Sequence, residues 1–233
     1  DFPGHVARWD GASWTTPGGG TNGPVHALAV RADGRLVVGG SFSFAGGAAA
    51  SRVATFDGSN WQALGGGLDG TVRALAALPG GDVLAGGDFT MSGPTTVGRV
   101  ARYGNFGWSS TGTTSFQEND VYAMAVLPNG QVAVGGRRFR WNVPLGGTLS
   151  SNLLLYVVSG WTSPEPYGEA VAALAVTPAG TLAAAGDFTL AGQLVSANLA
   201  RRVAPCPATA TTSGVGCSGA GGANALAATT LPW

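Results

Sequence analysis

Apolar residues recur in phase along the chain. An Ala-rich run opens each period: VHALAVRADGRLVVGG from Val25, VRALAALPGGDVLAGG from Val72, VYAMAVLPNGQVAVGG from Val121 and VAALAVTPAGTLAAAG from Val171. These starts stand 47, 49 and 50 residues apart. A glycine falls nine residues into each, at Gly34, Gly81, Gly130 and Gly180. Self-similarity at such a period marks a repeat architecture. The Ala-rich run reads as a first strand, and the Pro/Asp/Asn-Gly turn after it as a hairpin signal. The next run, such as Leu36 to Gly40, is apolar on consecutive residues, as in a strand buried on both faces.

A second landmark interleaves with the first. VARWDGASW starts at Val6, VATFDGSNW at Val53, VARYGNFGW at Val100 and LLLYVVSGW at Leu153. Each ends in a tryptophan (Trp14, Trp61, Trp108, Trp161), with an aromatic five residues earlier (Trp9, Phe56, Tyr103, Tyr156). The alternation of Val, Arg and aromatic residues predicts a half-buried third strand, and the Trp segment a fourth. Four strands in about 50 residues, with small residues on the inner ones, match a propeller blade. The Gly-Gly pairs (Gly39–Gly40, Gly86–Gly87, Gly135–Gly136) suit a place where space narrows towards an axis.

The fold class expected is therefore all-β, a β-propeller of four-stranded blades. Asp1-Phe2 aligns with Asp88-Phe89 and Asp187-Phe188, so the chain begins partway through a blade. ANALAATTLPW from Ala223 resembles a first strand. The simplest arrangement has about five blades, with the ring closed by the N-terminal hairpin, which shares a composite blade with the tail. A four-bladed ring is the alternative, and it pairs the Val171 and Leu182 strands with that hairpin. The division expected is residues 1–205 as propeller repeats and 206–233 as a Gly/Ser/Thr-rich tail that completes a blade or pairs with a neighbour.

Composition narrows the function. The 40 glycines and 13 prolines would fit disorder, but 45% apolar residues and zero net charge oppose it. All 12 basic residues are arginine. A neutral chain lacks the charge for broad binding to nucleic acid or an anionic membrane, and no apolar run is long enough to insert as a spanning helix. Neutrality also removes repulsion that would oppose self-association. Cys206 and Cys217, with ten residues between them in the tail, predict a disulfide closing a short loop, and with it an oxidising compartment.

Candidate chemistry is sparse. His5 and His26 lack paired carboxylates. No nucleophile elbow, phosphate loop or calcium loop occurs. Asp10 and Asp57 read as hairpin-turn residues, and the repeated Asp88 and Asp187 as turn caps. No catalytic residue, metal ligand or cofactor is expected. The second residue of the first strand differs between repeats: His26, Arg73, Tyr122 and Ala172. These positions belong near the mouth of a central channel, where His26, Arg73 and Tyr122 are candidate ligand-binding residues. The third repeat inserts RRFRWNVPLGGTLSSN, which groups Arg137, Arg138 and Arg140 with Trp141. An Arg–Trp cluster is an interface composition. The plain alternative is a longer solvated loop.

The run ALAVRADGRLVVGGSF, followed by VATFDG and a Trp, resembles the propeller-type repeats of large bacterial secreted and surface proteins. It is similar to the delta-sixty repeat and to repeats of fungal polarity-landmark surface proteins, and more distantly to kelch repeats of the galactose-oxidase type. The resemblance covers about residues 1–205 and implies the fold and an extracellular setting. It implies no activity, because fold does not determine function. The expected function is a non-enzymatic extracellular structural or interaction module, self-assembling head to tail into a fibre or surface layer. Its partners would be copies of itself, other surface proteins or glycans. A carbohydrate-binding propeller and a propeller domain of a secreted enzyme are the alternatives.

Overall fold

The structure, a computed structural model, describes residues 4–112, 121–142, 148–157, 160–162, 169–188, 190–191, 194–195, 199–202 and 226–227. Four antiparallel sheets of four strands follow one another along the chain. The first blade comprises Val25–Val30, Leu36–Gly40, Val53–Phe56 and Trp61–Ala63. The second comprises Val72–Ala77, Val83–Gly87, Val100–Gly104 and Gly107–Ser110. Val121–Val126, Val132–Asn142, Thr148–Val157 and Gly160–Thr162 make the third. Val171–Val176, Leu182–Gly186, Leu199–Arg202 and Leu226–Ala227 make the fourth. In each sheet the strands pair in sequence order, so each blade is a meander.

The local signals act as read. Gly34, Gly81, Gly130 and Gly180 all have φ between 77° and 90°, a left-handed conformation that only glycine adopts without strain. Each closes the same turn. In the first blade, Gly34 N–H donates to the Arg31 carbonyl and Arg31 N–H to the Arg35 carbonyl. The Trp landmark is a cross-strand pair. Trp9 opposes Trp14, Phe56 opposes Trp61, Tyr103 opposes Trp108 and Tyr156 opposes Trp161. Ring centroids lie 4.9 to 5.5 Å apart.

The core lies between blades. One cluster joins Val37 and Val53 of the first blade to Val72, Leu75 and Val83 of the second. Equivalent clusters bridge the second to the third and the third to the fourth. The phenylalanine two or three residues past the inner glycines of each blade (Phe42, Phe89, Phe139, Phe188) is fully buried. The outer-strand tryptophans of the first three blades also reach back along the chain. The indole N–H of Trp61 donates to the Pro17 carbonyl, Trp108 to Leu64 and Trp161 to Thr111, at 2.8, 2.8 and 3.1 Å. Every acceptor lies three residues past the preceding tryptophan.

The two glycines of each pair have different reasons. A Cβ on Gly39 would lie 2.4 Å from Val72 of the next blade, one on Gly86 2.4 Å from Val121, and one on Gly135 2.7 Å from Val171. The first glycine is thus a seam residue. A Cβ on Gly40, Gly87 or Gly186 would lie about 2 Å from the carbonyl of Pro24, Thr71 or Ala170 in its own blade. The second glycine makes room for an inner-strand bulge.

Closure differs from expectation. No seam of the kind joining consecutive blades links the fourth blade to the first among the described residues, and the ring is open. The N-terminal hairpin, Arg8–Trp9 with Trp14–Thr15, forms a two-stranded sheet of its own. It does not complete the Val171 and Leu182 strands, because those pair onward to Leu199–Arg202 and then Leu226–Ala227. The tail segment therefore stands at the outer edge of the fourth blade and not as the inner strand of a fifth. Val6 anchors the hairpin by packing with Val38, Phe42 and Trp61.

Two further features depart from the sequence reading. Short hairpins, Phe44–Ala45 with Ala48–Ala49 and Met91–Ser92 with Thr95–Thr96, interrupt the second-to-third connections. The fourth blade has its counterpart in Leu190–Ala191 with Leu194–Val195. In the third blade the second and third strands continue into the insertion past a register shift between Gly135 and Phe139, pairing Phe139 with Ser151 and Asn142 with Thr148; residues 143–147 lie outside the described residues.

Candidate functional site

The mouth positions share one geometry. In the first blade Val25 opposes Gly40 and Ala27 opposes Gly39, which leaves His26 as the extra residue of a β-bulge. Arg73, Tyr122 and Ala172 are the extra residues of the same bulge in the other blades. A bulge re-aims a side chain out of the ladder, and the second glycine admits it. His26, Arg73 and Ala172 are exposed and Tyr122 is half-buried.

In the first two blades the bulge residue stands beside the residue that follows the second strand. His26 Nε2 and Ser41 Oγ are hydrogen-bonded at 3.0 Å, and Ser41 Oγ lies 3.3 Å from Thr71 Oγ1 of the next blade. Arg73 donates through Nε and Nη2 to both carboxylate oxygens of Asp88, at 3.0 and 2.8 Å. Asp88 is thus an arginine partner and not the turn cap the repeat suggested. Such a rim can meet a polar ligand, but its composition changes from blade to blade.

Below the rim a second polar position recurs that the sequence reading missed. Asn22 Oδ1 accepts from the N–H groups of Ser43 and Phe44, both at 2.9 Å. Asp69 Oδ1, 47 residues on, accepts from Thr90 and Met91 at 2.7 and 2.9 Å. Burial pushes the Asp69 carboxyl up, but the bonds from Met91 and Thr90 outweigh it and hold the group below its ordinary value. Asp10 and Asp57 cap their hairpin turns as expected, each accepting two backbone N–H groups.

Of the interface residues, Arg137 is exposed at the start of the strand extension, and Arg138, Arg140 and Trp141 continue that strand. Side-chain positions of the latter three lie outside the described residues, as do Cys206 and Cys217.

The most distinctive surface is the bare side of the first blade. Leu28 is 59% exposed and Val30 65%, whereas Leu75, the counterpart of Leu28, is 8% exposed. Trp9 and Trp14 are half exposed, whereas Trp61 and Trp108 are 7% exposed. A cleft of about 360 Å³ separates Val6 and Ala7 from Val25 and Leu28, and it is lined also by His5 and His26, the two histidines of the chain. Among the described residues no group of three metal-ligating side chains occurs, and no helix is long and apolar enough to cross a membrane.

With this geometry in view, residues 12–127 match the family profile described as the Rax2 C-terminal beta propeller domain. No curated protein matches the chain. Among solved structures, the chain is similar to the extracellular domain of a hybrid two-component system from B. thetaiotaomicron. The TM-score is 0.51 at 12% identity, over 77% of this chain and 23% of that one. The extracellular domain of a one-component system from the same organism aligns over 72% of this chain and 21% of that one, with 12% identity and a TM-score of 0.48. Virginiamycin B lyase from Staphylococcus aureus aligns over 79% and 57%, with 13% identity and a TM-score of 0.43. The chain thus spans less than a quarter of the sensor domains it matches. At these identities the likeness is one of fold.

Proposed function

We propose that this β-propeller repeat protein is an extracellular structural and interaction module, non-enzymatic, that binds other polypeptides through the open side of its first blade. The observation that carries the reading is the exposure of Leu28 at 59% against 8% for Leu75 at the same position one blade on. Where a neighbour is present this surface is core; where none is present it is bare. Contiguous apolar surface of that kind marks an interaction site. The head-to-tail fibre is the homotypic form of this reading, in which the neighbour is a second copy.

The mouth supports the alternatives less well. A glycan-binding propeller tends to repeat one pocket per blade, and here the rim passes from His26–Ser41 to Arg73–Asp88 to Tyr122 to Ala172. The two surfaces can be separated by substitution in the full chain. Leu28→Arg alters the edge, and His26→Ala, Arg73→Ala and Tyr122→Ala together alter the mouth. The expected result is that association with copies of the chain or with another repeat protein is lost in the edge variant and kept in the mouth variant. Glycan binding or catalytic turnover lost in the mouth variant and kept in the edge variant would overturn the reading.

A further inference from the structure

The hairpin joining the third and fourth strands of the second blade departs from its counterparts. In the first blade the turn is Asp57-Gly58-Ser59-Asn60, and Asp57 caps it by accepting the N–H groups of Ser59 and Asn60. In the second blade the turn is Gly104-Asn105-Phe106-Gly107. The cap is gone, and a phenylalanine stands where the N-terminal hairpin has Ala12 and the first blade Ser59. Phe106 is fully exposed, at 105%. A ring so placed adds nothing to the core, and packing does not account for it.

The second departure lies beside the first. Gly104 has no positive φ, so its backbone does not call for glycine. A Cβ there would lie 3.3 Å from both carboxylate oxygens of Asp82. Glycine at this place therefore bares the carboxylate. Asp82 stands at the position of Arg35 in the first blade, and Arg102 at the position of Thr55. The two are bonded: Arg102 Nε donates to Asp82 Oδ2 at 2.6 Å, and Nη2 approaches the same oxygen. Asp82 Oδ1 has no donor among the described residues. Both side chains stay partly open to solvent, at 21% and 32% exposure. Asp82, Arg102, Asn105 and Phe106 line one shallow cleft of about 340 Å³, a size at the low end of small-ligand sites.

The chemistry of this set is specific. The carboxylate and the guanidinium cancel, so the cleft has no charge with which to hold an ion. It offers a fixed acceptor, a fixed donor and an aromatic face open to solvent. A pyranose ring matches all three. Its axial C–H groups form an apolar face that lies on an aromatic ring. Its adjacent hydroxyls each donate and accept, and so span a carboxylate oxygen and a guanidinium.

We propose that this cleft is a binding site for a neutral pyranose, stacked on Phe106 and held through adjacent hydroxyls by Asp82 Oδ1 and the Arg102 guanidinium. The first blade, with Arg35, Thr55, Asp57 and Ser59 at the four aligned positions, has neither the ring nor the pair. The site is thus a single one, on the outer hairpin of the second blade. It is separate from the mouth and from the edge of the first blade, and it stands independently of the reading above.

The test titrates the full chain with methyl β-D-glucopyranoside, methyl β-D-galactopyranoside and cellohexaose, read by calorimetry and saturation-transfer NMR. Saturable binding of at least one sugar is expected. Phe106→Ser installs the residue of the first blade at an exposed position, so the fold is kept, and an unchanged thermal midpoint checks it. That variant should bind about tenfold or more weakly. Asp82→Asn keeps the shape of the side chain, removes the charged acceptor and should lose a similar factor. Leu28→Arg and the triple substitution at His26, Arg73 and Tyr122 should leave sugar binding unchanged. No saturable binding of any of the three sugars overturns the proposal, as does binding indifferent to Phe106→Ser. Association with a polypeptide that Phe106→Ser removes and none of the sugars competes with also overturns it, because the hairpin is then a protein contact. None of these outcomes bears on the edge of the first blade, so the two readings fail separately.

Discussion

The indole N–H of Trp108 donates to the carbonyl of Leu64 in the preceding blade at 2.8 Å, and Leu64 lies three residues past the tryptophan of that blade. The bond, with its counterparts at Trp61 and Trp161, converts the outer Trp of the first three blades from a ring on a sheet surface into a backward tether. Replacing Trp108 by Phe keeps an aromatic partner for Tyr103, removes the indole bond, and leaves the Leu64 carbonyl with the longer bond from the Gly67 N–H at 3.4 Å. The expected loss is about 0.5–1.5 kcal/mol, seen as a lower urea midpoint with an unchanged slope. Trp14→Phe, at a half-exposed position, is expected to shift stability by under about 0.5 kcal/mol.

Glycine substitutions should separate seam from surface. Gly86→Ala places a methyl group 2.4 Å from Val121 and 2.6 Å from Met124. Overpacking of this kind costs about 1–3 kcal/mol, and a chain of this size should lose about 2–4 °C in Tm per kcal/mol. A Cβ on Gly80 would meet nothing within 4 Å, and its φ is not positive. Gly80→Ala should therefore be neutral or stabilising by about 0.4–1 kcal/mol. Differential scanning calorimetry on the two variants checks both signs.

Acid sensitivity should localise in part to Asp69. Its carboxyl is held below its ordinary value in the folded chain. A depressed folded value means that its stabilising contribution is present above the unfolded value, about pH 3.9. That contribution is lost as pH falls further, through the folded value. Asp69→Asn substitutes the residue that serves the same turn one blade earlier, Asn22. The variant should match the parent near pH 7 and show a shallower fall in stability below about pH 4, measured by thermal melts across pH.

The Arg73–Asp88 pair should matter little for folding. Both side chains are substantially open to solvent, at 42% and 31% exposure. Exposed pairs contribute about 0–1 kcal/mol. Arg73→Ala is expected to move the urea midpoint by less than that allowance. A larger loss would show that the guanidinium holds the bulge in place.

The repeat, the four turns and the aromatic pairs were readable because each depends on residues close in sequence. Gly34 needs positive φ whatever surrounds it, and Phe56 meets Trp61 across a tight turn. The seam was only half readable. The Gly-Gly pair could be seen, but the separate reasons for Gly39 and Gly40 depend on Val72 of another blade and on the carbonyl of Pro24. At the mouth, His26, Arg73 and Tyr122 were found as one aligned position; the bulge that turns them outward and the Asp88 partner of Arg73 were not. Asn22 and Asp69 escaped notice because one is an amide and the other an acid. Their shared role lies in an accepting oxygen, which both possess. The tail mimicked an inner strand by composition, and its pairing with Leu199–Arg202 was decided by which edge was free.

Each tryptophan tether points backwards along the chain. The acceptors at Pro17, Leu64 and Thr111 belong to segments that leave the ribosome before their donors at Trp61, Trp108 and Trp161. A nascent blade therefore emerges facing a carbonyl already held in position by the blade before it. The molecule is built to be laid down like courses of brick, each set on a finished one. In a linear array whose stability is a sum over neighbouring contacts, the same polarity lets a terminal blade fray without loosening those laid earlier.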